Sequence, residues 1–410
     1  MTSRWSNEPD LLAQAVTRIR RGERVILLDD QAHHSATLFS DPVAIIRADR
    51  VEDVIPALER LSSALDEGLL AAGFLSYGAG AAFDALEMQH NRLTDDPRPP
   101  LVWFGLFEGK QEGRIDPSLR GEAGACELVP SITRADYETM VDAGLSHIRA
   151  GDIYQVNLTM PTRFVLDDPF TFYRWTRLRT GASFGAIVDT GCRSILSFSP
   201  ELFFDMSAGA ITAKPMKGTR PRAEASIEDA ANAEALASSA KDRAENLMIV
   251  DLLRNDLSRV CEAGSVRVPH LFEVESYPTV WQMTSTVTGS LKPRTGPIEI
   301  LCALFPCGSI TGAPKVMASR IISEQERFDR GVYTGSIGWM SAGRAVFNVA
   351  IRTVDVPRST GPARVARLDV GAGIVADSSP AEEWCECVAK ARFAGIIPGE
   401  APRASAIGWH

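Results

Sequence analysis

Residues 184–206 read FGAIVDTGCRSILSFSPELFFDM. Three short strands fit this stretch, over 184–189, 194–198 and 202–206, with tight turns between them. Strands so short and so closely spaced join as antiparallel neighbours, because a parallel pair needs a long crossover. The pattern spreads outward in both directions. Strands are expected at 24–28, 44–47 and 101–104, then at 265–268, 284–291, 334–340, 345–354 and 363–372. Helices are inserted singly among them. One covers 51–64, with Val54, Leu58 and Leu61 on one face. A second begins at Thr133-Arg-Ala-Asp136 and ends at Gly151, and a long one runs over 227–259. The last starts at Ser379-Pro-Ala-Glu382, which reads as a capping box with proline in the first turn. Regular βαβ alternation is absent, so the expected class is α+β with antiparallel sheets.

A chain of 410 residues allows two or three ordinary domains or one large one. Residues 109–130 are rich in Gly, Pro and charge and form the best linker candidate, which divides the chain into 1–125 and 126–400. Residues 357–362 read as a hairpin loop. The charge balance is 43 basic against 52 acidic residues, a net −9, which argues against a nucleic-acid binder. The seven cysteines form no CxxC pair, and the six histidines show no zinc spacing. Reduced thiols in a cytoplasmic protein follow. The first residues carry no apolar signal region, and the longest uncharged apolar stretch, 69–83, is too short and too glycine-rich to span a bilayer. No membrane partner is expected.

Five constellations carry possible chemistry. Lys214-Pro-Met-Lys217-Gly-Thr-Arg220-Pro-Arg222 places four cations within nine residues. It reads as a basic turn that holds an anion, or that crowds one lysine until its amine is neutral and nucleophilic. A solvated loop is the plain alternative. Gly308-Ser-Ile-Thr311-Gly-Ala-Pro-Lys315 imitates a phosphate loop, but its spacing is wrong and Pro314 removes an amide. Asp369-Val-Gly371-Ala372-Gly373 imitates a dinucleotide fingerprint, yet the next helix begins too late. Asp242 with Glu245, and Glu383 with Glu386, are i,i+3 acid pairs on two helices. If those faces meet they offer hard oxygens suited to Mg²⁺; otherwise they are solvated helix surface. Ser199-Pro-Glu201 puts a carboxyl beside apolar strand residues, where a raised pKa suits a general acid. From the residues alone the reading stops at an α+β enzyme for a small anionic substrate, with Mg²⁺ as an option.

Taken together and in order, these segments resemble the chorismate-utilising enzymes. The segments are Gly151-Asp-Ile-Tyr-Gln155-Val-Asn157-Leu, Ser199-Pro-Glu201, Pro215-Met-Lys217-Gly-Thr219 and Asp242-Arg-Ala-Glu245. They continue through Gly308 to Lys315, Tyr333-Thr-Gly-Ser-Ile-Gly338, Ala350-Ile-Arg352-Thr and Gly371-Ala-Gly373-Ile. The resemblance implies two antiparallel sheets packed face to face with helices outside. It implies chorismate as substrate and a Mg²⁺ held by Glu245 and Glu386, with Glu383 and Asp242 as neighbours. It places the enolpyruvyl carboxylate on Tyr333 and Arg352. The ring falls beside Gly218, Thr219 and the amides of Gly371, Ala372 and Gly373, with Gln155 and Thr311 completing the contacts.

Relatives that add water carry a base lysine where this chain has Gln155. Anthranilate synthases carry Ala where it has Lys217, and the para-aminobenzoate branch carries Lys. The resemblance therefore implies amination at C4, with Lys217 as a covalent nucleophile and Glu201 as the acid; amination as in the anthranilate branch is the alternative. Ammonia would come from a separate glutamine amidotransferase subunit. Two departures stand out: Gln282 where many relatives have His, and Cys307 where Gly is usual.

Overall fold

The hairpin at the centre of the sequence argument forms, and then the chain does something the strand pattern did not announce. Phe184–Asp189 pairs antiparallel with Arg193–Ser199, Val188 lying opposite Ile195. The third strand, Leu202–Ser207, does not extend this meander but starts a second sheet. Pro200 has no N–H to offer the ladder, so the change of sheet falls there. The computed structural model describes residues 10–83, 98–116, 126–277, 280–358, 364–394 and 396–398.

Among the described residues the first sheet has ten strands in the order Ile396–Pro398, Cys126–Pro130, Thr162–Leu166, Arg364–Leu368, Thr353–Pro357, Arg193–Ser199, Phe184–Asp189, Val25–Asp30, Ser35–Ser40 and Gln111–Gly113. All its pairings are antiparallel except that of the first two strands. The second runs Met216–Pro221, Val280–Ser290, Ala210–Lys214, Leu202–Ser207, Arg344–Asn348, Ser336–Ser341, Leu70–Leu75, Val102–Phe107 and Ala44–Ala48, and Arg267–Ser276 also pairs with Val280–Ser290. A small third sheet joins Gly312–Ala313, Gln155–Met160 and Val370–Ile374. Strands from both 1–125 and 126–400 lie side by side in both large sheets.

Ile26, Phe39, Val188 and Ile195 from the first sheet share one buried cluster with Phe74, Trp103 and Ile337 from the second. The Phe39 ring lies 5.4 Å from Phe107 and 6.1 Å from Trp339. The two sheets are therefore packed face to face, each such side chain contributing about 1.5–3 kcal/mol through burial. Helices turn one face to the sandwich, as in Val54–Asp66, which buries Val54, Ala57, Leu58 and Leu61. Among the described residues no helix is long and apolar enough to cross a membrane.

Several local expectations need correction. The helix expected over 227–259 is two helices, Ser226–Ala237 and Ala240–Val260. The Ser239 side chain accepts from the Asp242 amide and restarts the second one. The capping box at Ser379 does not form, since its side chain makes no cap hydrogen bond, although Pro380 opens the helix Pro380–Ala391. The basic stretch 214–222 is not a loop: Ala210–Lys214 and Met216–Pro221 are strands broken at Pro215, both paired to Val280–Ser290. The strands expected over 345–354 and 363–372 are each split, and each break is a change of sheet. Within the linker candidate, strands occupy Gln111–Gly113 and Cys126–Pro130, while 117–125 lie outside the described residues, as does most of the loop expected at 357–362.

Candidate active site

The sheet-switching segment carries the first functional group. The Ser199 hydroxyl donates to the Val349 carbonyl at 2.6 Å and accepts from the Glu201 amide at 3.2 Å. Val349 N–H donates to the Glu201 carbonyl at 3.1 Å. With its backbone pinned, Glu201 turns into the protein and is 4% exposed. Its Oε1 accepts from the Ser309 hydroxyl at 2.8 Å. Burial pushes its carboxyl up to about 7, against the opposing pull of Ser309, Lys217 and the Met216 amide.

Lys217 lies on the strand Met216–Pro221, where the register with Val280–Ser290 shifts between Met216 and Thr219. Gly218 sits at φ +82°, and a Cβ there would lie 2.8 Å from Asp242 Oδ1. Gln282 holds this irregular stretch: it accepts from the Thr219 hydroxyl at 2.8 Å and donates to the Gly218 carbonyl at 2.7 Å. The Lys217 amine is held below its ordinary value, first by burial and then by Lys390, while Glu245, Glu201 and Glu386 oppose this. The crowding expected from Lys214 and Arg220 is not the cause. Lys214 is paired with Glu275 at 2.5 Å and Arg220 with Asp242 at 2.8 Å.

Opposite Lys217 runs the strand Val370–Ile374. A Cβ on Gly373 would lie 3.3 Å from Lys217 Nζ, 3.2 Å from Gln155 Nε2 and 3.1 Å from Asn157 Oδ1. A Cβ on Gly371 would lie 3.1 Å from the Tyr333 hydroxyl. The two glycines thus share the face of the strand that looks onto these polar groups, and the Ala372 side chain points the other way into the core. Gln155 is fully buried, and neither end of its amide has a hydrogen-bond partner among the described residues. Arg352, at φ +49°, has no carboxylate partner among the described residues. Burial lowers its pKa, and only Tyr277 opposes this. Tyr333 is pushed above the ordinary phenol range by burial.

The helices Ala240–Val260 and Pro380–Ala391 bring the acids. Burial raises Glu245, which feels the charge of Lys217 and Glu386. Glu383 is buried and also raised by burial. Glu386 is half-exposed and meets Lys390 at 2.7 Å. Burial would raise it, but Lys390, with Lys217 and Lys241, holds it below the usual range. Asp242 is engaged by Arg220. Among the described residues no three His, Cys, Asp or Glu side chains gather closely enough to form a metal cage.

Thr311 is fully buried, and its hydroxyl donates to the Cys307 carbonyl at 2.9 Å, so it braces its own loop. Lys315 is tied to Asp256 at 2.6 Å, unlike a phosphate-loop lysine. Sequence reasoning passed over Ser309, Asn157, Tyr277 and Lys390. The Lys390 signal was available, since it stands i+4 from Glu386. Gly312 deserves a test of its own. It sits at φ +141° and a Cβ there would fall 2.3 Å from the Gln155 carbonyl oxygen. Gly312→Ala is expected to lower unfolding free energy by about 2–4 kcal/mol, read from urea denaturation.

An arginine with no carboxylate partner among the described residues, an amide without a hydrogen-bond partner and two glycines on one strand face thus come together. Beside them stand an amine whose pKa is lowered and a carboxyl whose pKa is raised. This pairing on a two-sheet sandwich is that of an enzyme, and the chain belongs to the chorismate binding enzyme family, whose model matches residues 23–394. It is 43% identical over 282 residues to an aminodeoxychorismate synthase of Streptomyces griseus, covering 67% of this chain and 38% of that protein. It is 39% identical over 310 residues to aminodeoxychorismate synthase component 1 of Klebsiella aerogenes, covering 74% of this chain and 66% of that one. The chain thus spans between about two fifths and two thirds of these relatives' lengths. Anthranilate synthase component I from Streptococcus pneumoniae TIGR4 superposes with a TM-score of 0.75 at 28% identity, covering 88% of this chain and 92% of that one.

Proposed function

We propose that the chain converts chorismate and ammonia to 4-amino-4-deoxychorismate, with ammonia delivered by a separate glutamine amidotransferase subunit in the cytoplasm. One arrangement carries the reading: Lys217 and Glu201 lie near enough for each to feel the other's charge, and burial displaces the amine downward and the carboxyl upward. An amine that is neutral can attack, and a carboxyl that is protonated can give up its proton.

Neutral Lys217 Nζ bonds to C2 of the ring. The two double bonds shift, and the C4–O bond breaks. Glu201 gives its proton to the departing hydroxyl, which leaves as water. Ammonia then bonds to C4, the double bonds shift back, and the C2–N bond breaks. Two displacements return the geometry at C4 to its starting sense, and the proton lost by ammonia is taken up at Glu201. Arg352 and Tyr333 hold the enolpyruvyl carboxylate. Gly218, Thr219 and the backbone of Gly371 and Gly373 border the ring, and Gln155 gives its free amide to the substrate.

The donor set fits Mg²⁺, which keeps several waters and takes only one or two protein carboxylates along with oxygens of its substrate. Glu245 and Glu386, with Glu383 behind them, would hold it. Like charge from Asp242 and Glu386 helps to raise Glu245, and a cation would relieve that. The bound ion would neutralise the ring carboxylate.

The test is incubation of the purified chain with chorismate, Mg²⁺ and ammonium, followed by product identification. The expected product is 4-amino-4-deoxychorismate; anthranilate, isochorismate or salicylate as main product would refute the reading. Glutamine should support turnover only after a glutaminase subunit is added. Glutamine-dependent amination by this chain alone would contradict the partner assignment.

A further inference from the structure

Glu201 loses its proton during the proposed reaction and is left as a carboxylate in a site that is 4% exposed. Bare burial of that charge would oppose the step. The structure answers this with a short chain of donors. Ser309 O–H donates to Glu201 Oε1 at 2.8 Å. That uses the hydroxyl's one hydrogen, so the Cys307 thiol, 3.3 Å from the same oxygen, is the donor behind it. Burial pushes the Cys307 thiol up to about 12, so it keeps its hydrogen near neutral pH. The loop itself is fixed: Asn157 Nδ2 donates to the Ser309 carbonyl at 3.0 Å, and Thr311 ties back to Cys307.

We propose that Ser309, backed by the Cys307 thiol, is a positioning residue for the reaction: it orients the Glu201 carboxyl and stabilises the carboxylate that remains when the proton leaves with the C4 hydroxyl. This rests on the reading of Glu201 as the acid. No atom of Ser309 or Cys307 exchanges with substrate. As Glu201 O–H breaks, the Ser309 hydrogen bond becomes charge-assisted and stronger. The other groups whose charge or dipole acts on Glu201 are Lys217, the Met216 amide and Tyr277. Of these, Lys217 and the amide favour the carboxylate, and Tyr277 carries no charge near neutral pH because its phenol is raised.

The test reads the Glu201 carboxyl directly in substrate-free protein. Difference infrared spectroscopy against Glu201→Gln follows loss of its protonated carbonyl band with pH. Wild type should titrate at about 7. Ser309→Ala should move that midpoint upward by about one pH unit, and Cys307→Ala should move it in the same direction by less. Ser309→Thr, which keeps the hydroxyl, should restore the wild-type midpoint. Single-turnover adduct formation, measured by intact mass without ammonia, should slow by about 10-fold in Ser309→Ala with little change in KM. An unchanged midpoint in Ser309→Ala, or the same upward shift in Ser309→Thr, overturns the proposal. An upward shift in Ser309→Ala, combined with wild-type protein that forms no adduct, would instead leave the hydrogen-bond chain standing and remove the reaction assigned to Glu201.

Discussion

Lys217→Ala is expected to lower C4 amination by about 1,000-fold or more, and to remove a covalent adduct that wild type forms with chorismate when ammonia is withheld. The reasoning starts from geometry. Lys217 Nζ has no carboxylate within ion-pair distance among the described residues, and burial keeps it below its ordinary value. A wild-type mixture of chain, chorismate and Mg²⁺ should therefore show the mass of protein plus substrate minus water, mapped to Lys217. The limb of its pH profile set by Glu201 should fall as pH rises through about 7, because the step needs the protonated carboxyl and that form is lost above this point, while loss of the Lys217 proton acts in the opposite direction. The alanine variant should retain its fold, since the strand is held by Gln282 and by pairing to Val280–Ser290. Wild-type amination by Lys217→Ala would end the covalent mechanism and leave Lys217 as an electrostatic contact.

Arg352→Met should raise KM for chorismate by about 100-fold while making the substrate-free protein more stable. Arg352 is partly buried, burial lowers its pKa, and it has no carboxylate partner among the described residues, so its charge carries a cost until an anion arrives. A hydrogen-bonded charge pair lost on truncation costs about 2–5 kcal/mol, which at 1.4 kcal/mol per tenfold supports the figure for KM. Methionine keeps the length of the stem and can lie against Phe393, whose ring is 5.8 Å from the guanidinium. Steady-state kinetics and urea midpoints read the two arms separately. A KM unchanged from wild type, or a lower urea midpoint together with normal KM, would give Arg352 a structural role instead.

How much of this was legible depended on whether a signal was local. Short apolar-rich runs between tight turns announced Phe184–Asp189 and Arg193–Ser199, and Thr133 with Gly151 marked both ends of the helix Arg134–Ala150. The change of sheet at Pro200 was not legible, because a strand's own residues do not say which neighbour it will pair with. The basic stretch misled for a related reason. Lys214 and Arg220 adjoin Lys217 in sequence, yet alternation and a register shift send them to Glu275 and Asp242. The cation that does act on Lys217 is Lys390, on the helix Pro380–Ala391. Spacing put Glu383 and Glu386 on one helix, but not the buried position of one and the ion pair of the other. Ser309 lay inside a quoted motif, and nothing in a Gly-Ser-Ile-Thr run says that its hydroxyl meets Glu201.

The strand Leu70–Leu75 pairs with Ser336–Ser341, and Val25–Asp30 with Phe184–Asp189. A chain emerging from the ribosome must therefore hold its early strands unpartnered until much later ones appear, roughly tens of seconds at about 5–20 residues per second. Such long-range pairing also makes folding slow even in the finished chain. Glu201 and Lys217 can meet Gly373 and Glu386 only after both sheets have closed. Catalytic competence should thus be among the last properties acquired during refolding, lagging behind helix formation. The exposed edges of the waiting strands should make early refolding intermediates prone to aggregate.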